Sequence, residues 1–255
     1  MDVTIVGCSG SFAGPRSPAS CYLVRAEHEG RTWSIVLDLG NGALGALQRH
    51  IEPYAVDAVL LSHLHVDHCI DMCGLYVMMR YVPGGPGRPT MPVWGPSGTG
   101  AHLARAYGSG EAEDVLGVFD FHDLRHRATV TIGPFVITPV RVNHPVEAYG
   151  FRVEAGGRVL AYTGDTDTCD QLDELLAGAD LVLADSAFVD GRDSVPDIHL
   201  SGRRAAEAAV RAGGVRRLML THIPAWNDPD ECRAQAAAVW PGEVELAEPD
   251  ATHCV

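Results

Sequence analysis

The sequence predicts an α/β fold: two β-sheets packed face to face, with helices on the outside. Three observations carry this. Apolar, β-branched runs dominate the first half of the chain, with helical patches inserted among them. The second half then alternates strand, helix, strand. No Ser-, Pro- or charge-rich linker, fixed-period repeat or low-complexity tract interrupts residues 1–255, which are therefore expected to form a single domain.

Thr4 to Val6 and Cys21 to Ala26 read as strands around a Gly/Ser/Pro loop, Gly7 to Pro15. Trp33 to Asp38 is a third strand ending at Asp38 and Gly40. Gly42 to His50 has helical spacing, with Leu44, Leu47 and Ile51 on one face. Ala55 to Leu61 is a short buried strand, and Asp67 to Tyr81 a helix. Val82 to Thr90 is rich in Gly and Pro and reads as a loop. A strand at Met91 to Trp94 and a helix at Ser97 to Tyr107 follow. Ala128 to Val142, Tyr149 to Glu154 and Val159 to Thr163 alternate like adjacent strands, with a hairpin turn at Gly156-Gly157. Thr168 to Ala177 reads as a helix and Asp180 to Ala184 as a continuous apolar strand. Ser201 N-caps an Ala-rich helix that runs to Ala212. Arg217 to Leu220, Pro229 to Val239 and Val244 to Leu246 complete the pattern as strand, helix and strand.

Hydrophobic residues make up 46% and charged residues 20%, as in an ordinary globular protein that folds without disulfides. The net charge is −14, and no basic run exceeds the pairs Arg203-Arg204 and Arg216-Arg217, which argues against a nucleic-acid partner. The seven Cys show no C-x-x-C spacing and read as free, mostly buried thiols. Met1 to Gly7 lacks a basic n-region and a long apolar h-region, and reads as a first strand. No segment approaches the ~20 apolar residues that span a bilayer. A cytoplasmic protein without a membrane partner is expected.

The strongest chemical signal is Ser62-His63-Leu64-His65-Val66-Asp67-His68, three His and one Asp straight after a buried strand. His63 and His65 are two apart, so an extended segment can point both to one side. Asp67 and His68 then face a second position. Imidazole suits Zn, Mn and Fe, and Asp adds a hard oxygen. Further donors follow strands at Asn143-His144, Gly164-Asp165 and Thr221-His222. A carboxylate such as Asp165 can bridge two ions. His28, His50, His102, His122, His126 and His253 lack such a context and read as surface or core residues.

The H-x-H-x-D-H run, the later His, the Asp of a G-D loop and the final His together resemble the metallo-β-lactamase superfamily, over nearly the whole chain. The resemblance implies a four-layer αββα sandwich and two divalent metal ions, Zn foremost, with Mn or Fe as alternatives. One ion would be held by His63, His65, His144 and Asp165, the other by Asp67, His68, Asp165 and His222. Pro196-Asp197-Ile198-His199-Leu200-Ser201 resembles the His motif of the tRNA 3′-processing endonuclease branch. By that resemblance His199 is a proton donor paired with Asp185, where relatives more often carry Glu. In many members of that branch a tRNA-gripping arm lies between the equivalents of His144 and Asp165. Here twenty residues separate them and a hairpin uses most of these, which argues against tRNA.

Gly7 to Ser11, Ser17 to Ser20, Gly42 to His50 and Leu220 to Trp226 look like the actinobacterial atypical class II cyclic-nucleotide phosphodiesterases. That implies hydrolysis of 3′,5′-cyclic AMP to 5′-AMP by a water activated between two ions, Asp67 being part of the catalytic centre. It also implies a homodimer. Asp167 and Cys21 depart from that pattern at positions that are not ligands. Two divalent ions less Asp67, Asp165 and one hydroxide leave a centre of about +1, which suits a small anionic substrate despite the acidic chain. Ser9, Ser11 and Asn143 are candidates for phosphate or sugar contacts, the Gly/Ser loop being otherwise a tight turn. Trp226 is a candidate to flank a base, as are Tyr76, Tyr81 and Trp94, each equally readable as core. Rival readings keep the metals with another small ester (a cyclic ribose phosphate, aryl sulfate or lactone), or make the chain a metal-free binding module or an endonuclease.

Overall fold

The computed structural model describes residues 1–83, 89–108 and 117–255. Among these, alternating apolar residues build two seven-stranded sheets. The first contains β1 (Asp2–Gly7), β2 (Cys21–His28), β3 (Arg31–Leu37), β4 (Ala58–Leu60), β5 (Met91–Gly95) and β6 (Phe119–Asp123), side by side in that order. The second contains β7 (Val130–Ile132), β8 (Phe135–Arg141), β9 (Tyr149–Ala155), β10 (Arg158–Tyr162), β11 (Leu181–Asp185), β12 (Leu218–Thr221) and β13 (Val244–Leu246), again in chain order. The last strand, β14 (Thr252–Cys254), returns to the first sheet and pairs antiparallel with β1, Asp2 opposite Cys254.

Each sheet changes character half-way. Strands β1 to β3 and β7 to β10 are antiparallel neighbours, whereas β3 to β6 and β10 to β13 run parallel. Period-two alternation sorts the side chains. Ile35 and Leu37 face the other sheet, packed with Phe151, Leu160 and Leu183, while Val36 faces outward under helices. Likewise Leu181 and Leu183 point between the sheets and Val182 and Ala184 away from it. The outer faces are covered by α1 (Ala43–Leu47), α2 (Val66–Cys69), α3 (Met72–Tyr81) and α4 (Thr99–Tyr107) on one side, and by α5 (Gln171–Leu176), α6 (Gly202–Ala212) and α7 (Pro229–Ala237) on the other. The four-layer αββα sandwich of the metallo-β-lactamase fold is therefore present.

Several elements differ from the sequence expectation. The helix expected over Asp67 to Tyr81 is two helices, because the Asp71 N–H leaves the helical ladder for the Leu39 carbonyl (3.1 Å) and the Leu39 N–H bonds the His68 carbonyl (2.7 Å). The run Ala128 to Val142 is a hairpin of β7 and β8. Its turn uses Gly133, at φ 51°, where a Cβ would come within 2.2 Å of the Trp33 ring. Strands β6 and β14 were not expected. The first alternates with acidic residues, and the second is three residues long. The Gly156-Gly157 turn is found between β9 and β10, and the Ser201 hydroxyl accepts the Arg204 N–H as an N-cap. Most of the loop expected from Val82 to Thr90 lies outside the described residues. No described helix is long and apolar enough to cross a membrane. The seven cysteines are free; Cys21, Cys69 and Cys232 are buried and Cys254 is exposed.

Candidate metal centre

The parallel halves of the two sheets bring their C-terminal ends to one crease, the usual ligand position in such sheets. Asp38 follows β3, the His63–His68 segment follows β4, His144 follows β8, Asp165 follows β10, Asp185 ends β11 and His222 follows β12. The expected ligands form two donor clusters. His63, His65 and His144 make one, and Asp67, His68, Asp165 and His222 the other; a third group, Asp185, His199 and His222, adjoins them, the donor atoms of each lying within 4.8 Å of one another. Asp165 lies between the first two. Its Oδ2 is 3.2 Å from His222 Nε2 and 3.7 Å from His63 Nε2, and its Oδ1 is 3.1 Å from His68 Nε2. Asp67 Oδ2 faces His68 Nε2 at 3.5 Å and His222 Nε2 at 3.7 Å.

The chemistry of these donors fits divalent ions. His144 Nδ1 donates to the Ile198 carbonyl (2.9 Å) and His68 Nδ1 to Asp38 Oδ2 (2.8 Å), so in each ring Nε2 is the nitrogen turned into the cluster. Ser20 Oγ holds His222 Nδ1 at 2.9 Å in the same way. Burial would lower His68, but the charges of Asp165 and Asp38 and the hydrogen bond to Asp38 outweigh it and hold its pKa well above the ordinary value, so a metal at His68 Nε2 would displace a proton. His65 Nδ1 lies 3.0 Å from His63 Nε2 and 3.2 Å from His144 Nε2. Burial pushes all three of these imidazoles below their ordinary pKa, and neighbouring imidazoles add to it, which leaves neutral rings as metal binding needs. Burial alone would raise Asp165, but the charges of His222 and His68 outweigh it and hold the carboxyl well below the usual range. Asp67 is likewise held low against burial by His68 and His222. His68 Nε2 and Asp165 Oδ1 face each other at 3.1 Å, yet neither makes a well-aligned hydrogen bond among the described residues, and a cation would satisfy both buried atoms.

Asp38 escapes a reading of the sequence and is central here. Its buried carboxylate accepts hydrogen bonds from the Ser62 N–H (2.6 Å), the Ser62 hydroxyl (2.8 Å), His68 Nδ1 (2.8 Å) and the Tyr162 hydroxyl (2.7 Å). Asp38→Asn is therefore expected to cost about 10–100-fold in affinity for a divalent metal, read by competition with a chromophoric chelator.

Beside the clusters, His199 Nδ1 pairs with Asp185 Oδ2 at 2.9 Å and lies 3.9 Å from Asp165 Oδ2. The Thr166 and Ala187 N–H groups also bond the Asp185 carboxylate. Burial pulls His199 down, but the Asp185 charge and hydrogen bond outweigh it, and its pKa is raised to about 9. The Gly/Ser loop adjoins the crease: a Cβ on Gly10 would meet the His222 carbonyl at 2.2 Å, and the Ser11 N–H points at His222 Nε2 from 3.4 Å. The buried Ser9 Oγ has no hydrogen-bond partner among the described residues. The Asn143 amide is engaged by the Asp197 carboxylate (3.0 Å). Trp226 is 65% exposed and packs on Phe12, ring centroids 4.7 Å apart. Tyr76 is buried in the core under the helices, Trp94 is stacked on His122, and Tyr81 is exposed. Of the seven non-glycine residues with positive φ among the described residues, four border this crease: Ser11, Asp38, Asp197 and His222.

Residues 34–223 match the family model described as the beta-lactamase superfamily domain. The chain belongs to the β-lactamase superfamily. Within it, the sequence is 45% identical to the uncharacterized protein Rv1339 of Mycobacterium tuberculosis, over 98% of this chain and 90% of that protein. It is 30% identical to a ribonuclease Z of Mycobacterium bovis over 96% of this chain and 95% of the relative. It is 29% identical to the probable metallo-hydrolase YhfI of Bacillus subtilis, over 97% of each. The crystal structure of YhfI superposes with a TM-score of 0.86 at 28% identity, covering 99% of this chain and 98% of that one. The chain is thus a metallo-hydrolase of this superfamily, whose members typically bind divalent metals, and its His/Asp clusters could hold them.

Proposed function

We propose that the protein is a dinuclear metal-dependent phosphodiesterase that opens a 3′,5′-cyclic nucleotide, cyclic AMP foremost, to the 5′-monophosphate. The observation that carries this reading is the His199–Asp185 pair, 2.9 Å apart and set against the donor clusters. An alkoxide leaving group needs a proton. A lactone or an aryl ester has less use for one, since its leaving oxygen is either held on the metal or already stable. The relative named ribonuclease Z also points to phosphodiesters.

His63, His65, His144 and Asp165 would hold one ion, and Asp67, His68, Asp165 and His222 the other. Two divalent ions, when bound, would supply positive charge for the phosphate and lower the pKa of a shared water. Asp165 would set their spacing. Because His199 Nδ1 donates to Asp185, Nε2 is the nitrogen left for the leaving oxygen. A pKa of about 9 keeps His199 protonated at neutral pH. As the bond from phosphorus to O3′ breaks, the His199 proton passes to O3′, and Asp185 stabilises the imidazolium until then. In this reading the Gly/Ser loop beside His222 would meet the phosphate, and the exposed Trp226, packed on half-buried Phe12, would flank the base. A single domain over residues 1–255, a cytoplasmic location, a small anionic substrate and a homodimer complete the reading.

The test is product analysis with pure protein loaded with Mn or Zn, incubated with 3′,5′-cyclic AMP beside a His65→Ala control. The expected result is 5′-AMP at ~1 s⁻¹ or faster, with the control silent. Survival of cyclic AMP while bis-p-nitrophenyl phosphate is cleaved would keep the site and sink the substrate. Protein shown to hold two metals that cleaves neither ester would sink the hydrolytic reading itself. The ribonuclease Z likeness favours a second substrate, precursor tRNA, against which the net charge of −14 stands. A cleavage gel decides between them.

A further inference from the structure

Resting on the reading of His199 as proton donor, we propose that Asp167 is a positioning residue that clamps the loop presenting His199, and that Arg204 holds the clamp in place. Asp167 is 6% exposed and lies two residues past Asp165. Its Oδ2 accepts the Asp197 N–H at 2.9 Å. Its Oδ1 accepts Arg204 Nη1 at 2.6 Å and the Thr168 N–H at 2.7 Å. Its own N–H bonds the Asn143 carbonyl (2.8 Å), while the Asn143 amide reaches back to Asp197 Oδ1.

Three consecutive residues of the clamped loop are each tied to the centre. Asp197 is held in the left-handed region at φ 65°, a conformation that disfavours a non-glycine residue. The Ile198 carbonyl receives the His144 ring N–H. His199 pairs with Asp185. The Asp197 backbone has this conformation because its N–H is captured by Asp167 and its side chain by Asn143. Released, the segment would relax out of the left-handed region and carry His199 with it. Arg204 enters from the first turn of α6, which Ser201 caps, so a rigid element backs the clamp. The turn at residues 165–168 therefore serves both halves of the acid pair: the Thr166 N–H anchors Asp185, and Asp167 anchors the His199 loop.

A clamp that acts through the proton donor has a signature that general loosening lacks. Asp167→Ala is expected to slow hydrolysis of cyclic AMP, an alkoxide ester, by about 10²-fold, within the range of general-acid help. Cleavage of bis-p-nitrophenyl phosphate, whose leaving group needs no proton, should change by less than about threefold. Arg204→Ala should show the same selectivity with a smaller loss. In a His199→Ala background, Asp167→Ala should add almost nothing, since two changes acting through one group are not additive. Metal content is measured on every variant. Asp167→Asn, which keeps an acceptor for the Asp197 N–H, serves if the Ala variant fails to fold, and should retain most of the activity. Equal losses on the two esters, or a loss on cyclic AMP that persists without His199, would overturn the proposal. Failure of the wild-type protein to open cyclic AMP would instead sink the substrate reading, and the comparison would then be run with any other alkyl diester that it cleaves.

Discussion

Asp165→Ala is expected to abolish measurable hydrolysis, a loss on the order of 10³-fold or more, and to reduce the metal content below that of the wild type. Among the described residues, Asp165 is the carboxylate with ion-pair contacts in both donor clusters, 3.2 Å from His222, 3.1 Å from His68 and 3.7 Å from His63. Its removal leaves the first cluster with imidazoles alone and Asp67 as the remaining carboxylate of the second, so the centre offers less negative charge to a second cation. Metal analysis after dialysis, paired with product assays at saturating Mn, checks the expectation. Two tightly held ions and near-normal turnover in the variant would show that Asp165 is not the shared ligand. Asp165→Asn is the finer control, keeping the volume and one oxygen donor while removing the charge.

Next in size is the acid pair. His199→Ala should lower the rate on cyclic AMP by about 10²–10⁴-fold, with a far smaller effect on bis-p-nitrophenyl phosphate. Asp185→Asn tests the same pair by pH. With His199 as the proposed proton donor, its protonated form would be the active one, so the rate is expected to fall as pH rises through its pKa of about 9. That pKa is raised by the Asp185 charge against the downward pull of burial. Removing the charge should therefore move the alkaline limb to lower pH, leaving activity highest on the acid side of neutrality. A limb that stays in place in Asp185→Asn would detach the two residues from each other.

The sandwich could be read from the sequence because each strand carries its own period-two pattern and each helix its own apolar stripe. The two donor clusters were equally legible, since four of the seven candidate ligands sit in one six-residue run and the others follow strands. What escaped is set by distant chain segments. Asp38 is an ordinary strand-end Asp until His68, thirty residues later, folds back against it. The break between α2 and α3 depends on Leu39, which nothing in the helical segment announces. Strand β14 is visible only through its pairing with β1, at the other end of the sequence. Asp167 could be noticed only as an unusual residue beside the G-D loop, because its partners Asp197 and Arg204 lie thirty and thirty-seven residues away. Trp226 was within reach as an aromatic close to His222, but its stacking on Phe12 was not.

The four left-handed residues around the crease carry a thermodynamic consequence. A non-glycine residue held in that region costs about 1–3 kcal/mol, so Ser11, Asp38, Asp197 and His222 together oppose folding by an amount comparable with the whole net stability of a typical domain. No short segment could hold such a shape unaided. Local hydrogen bonds hold these backbones bent, as Asp167 and Asn143 hold Asp197, and the groups that make those bonds follow strands that the apolar layer between the sheets supports. A core-loosening change such as Leu183→Ala would be felt at the crease, as tension released, before the fold as a whole gave way.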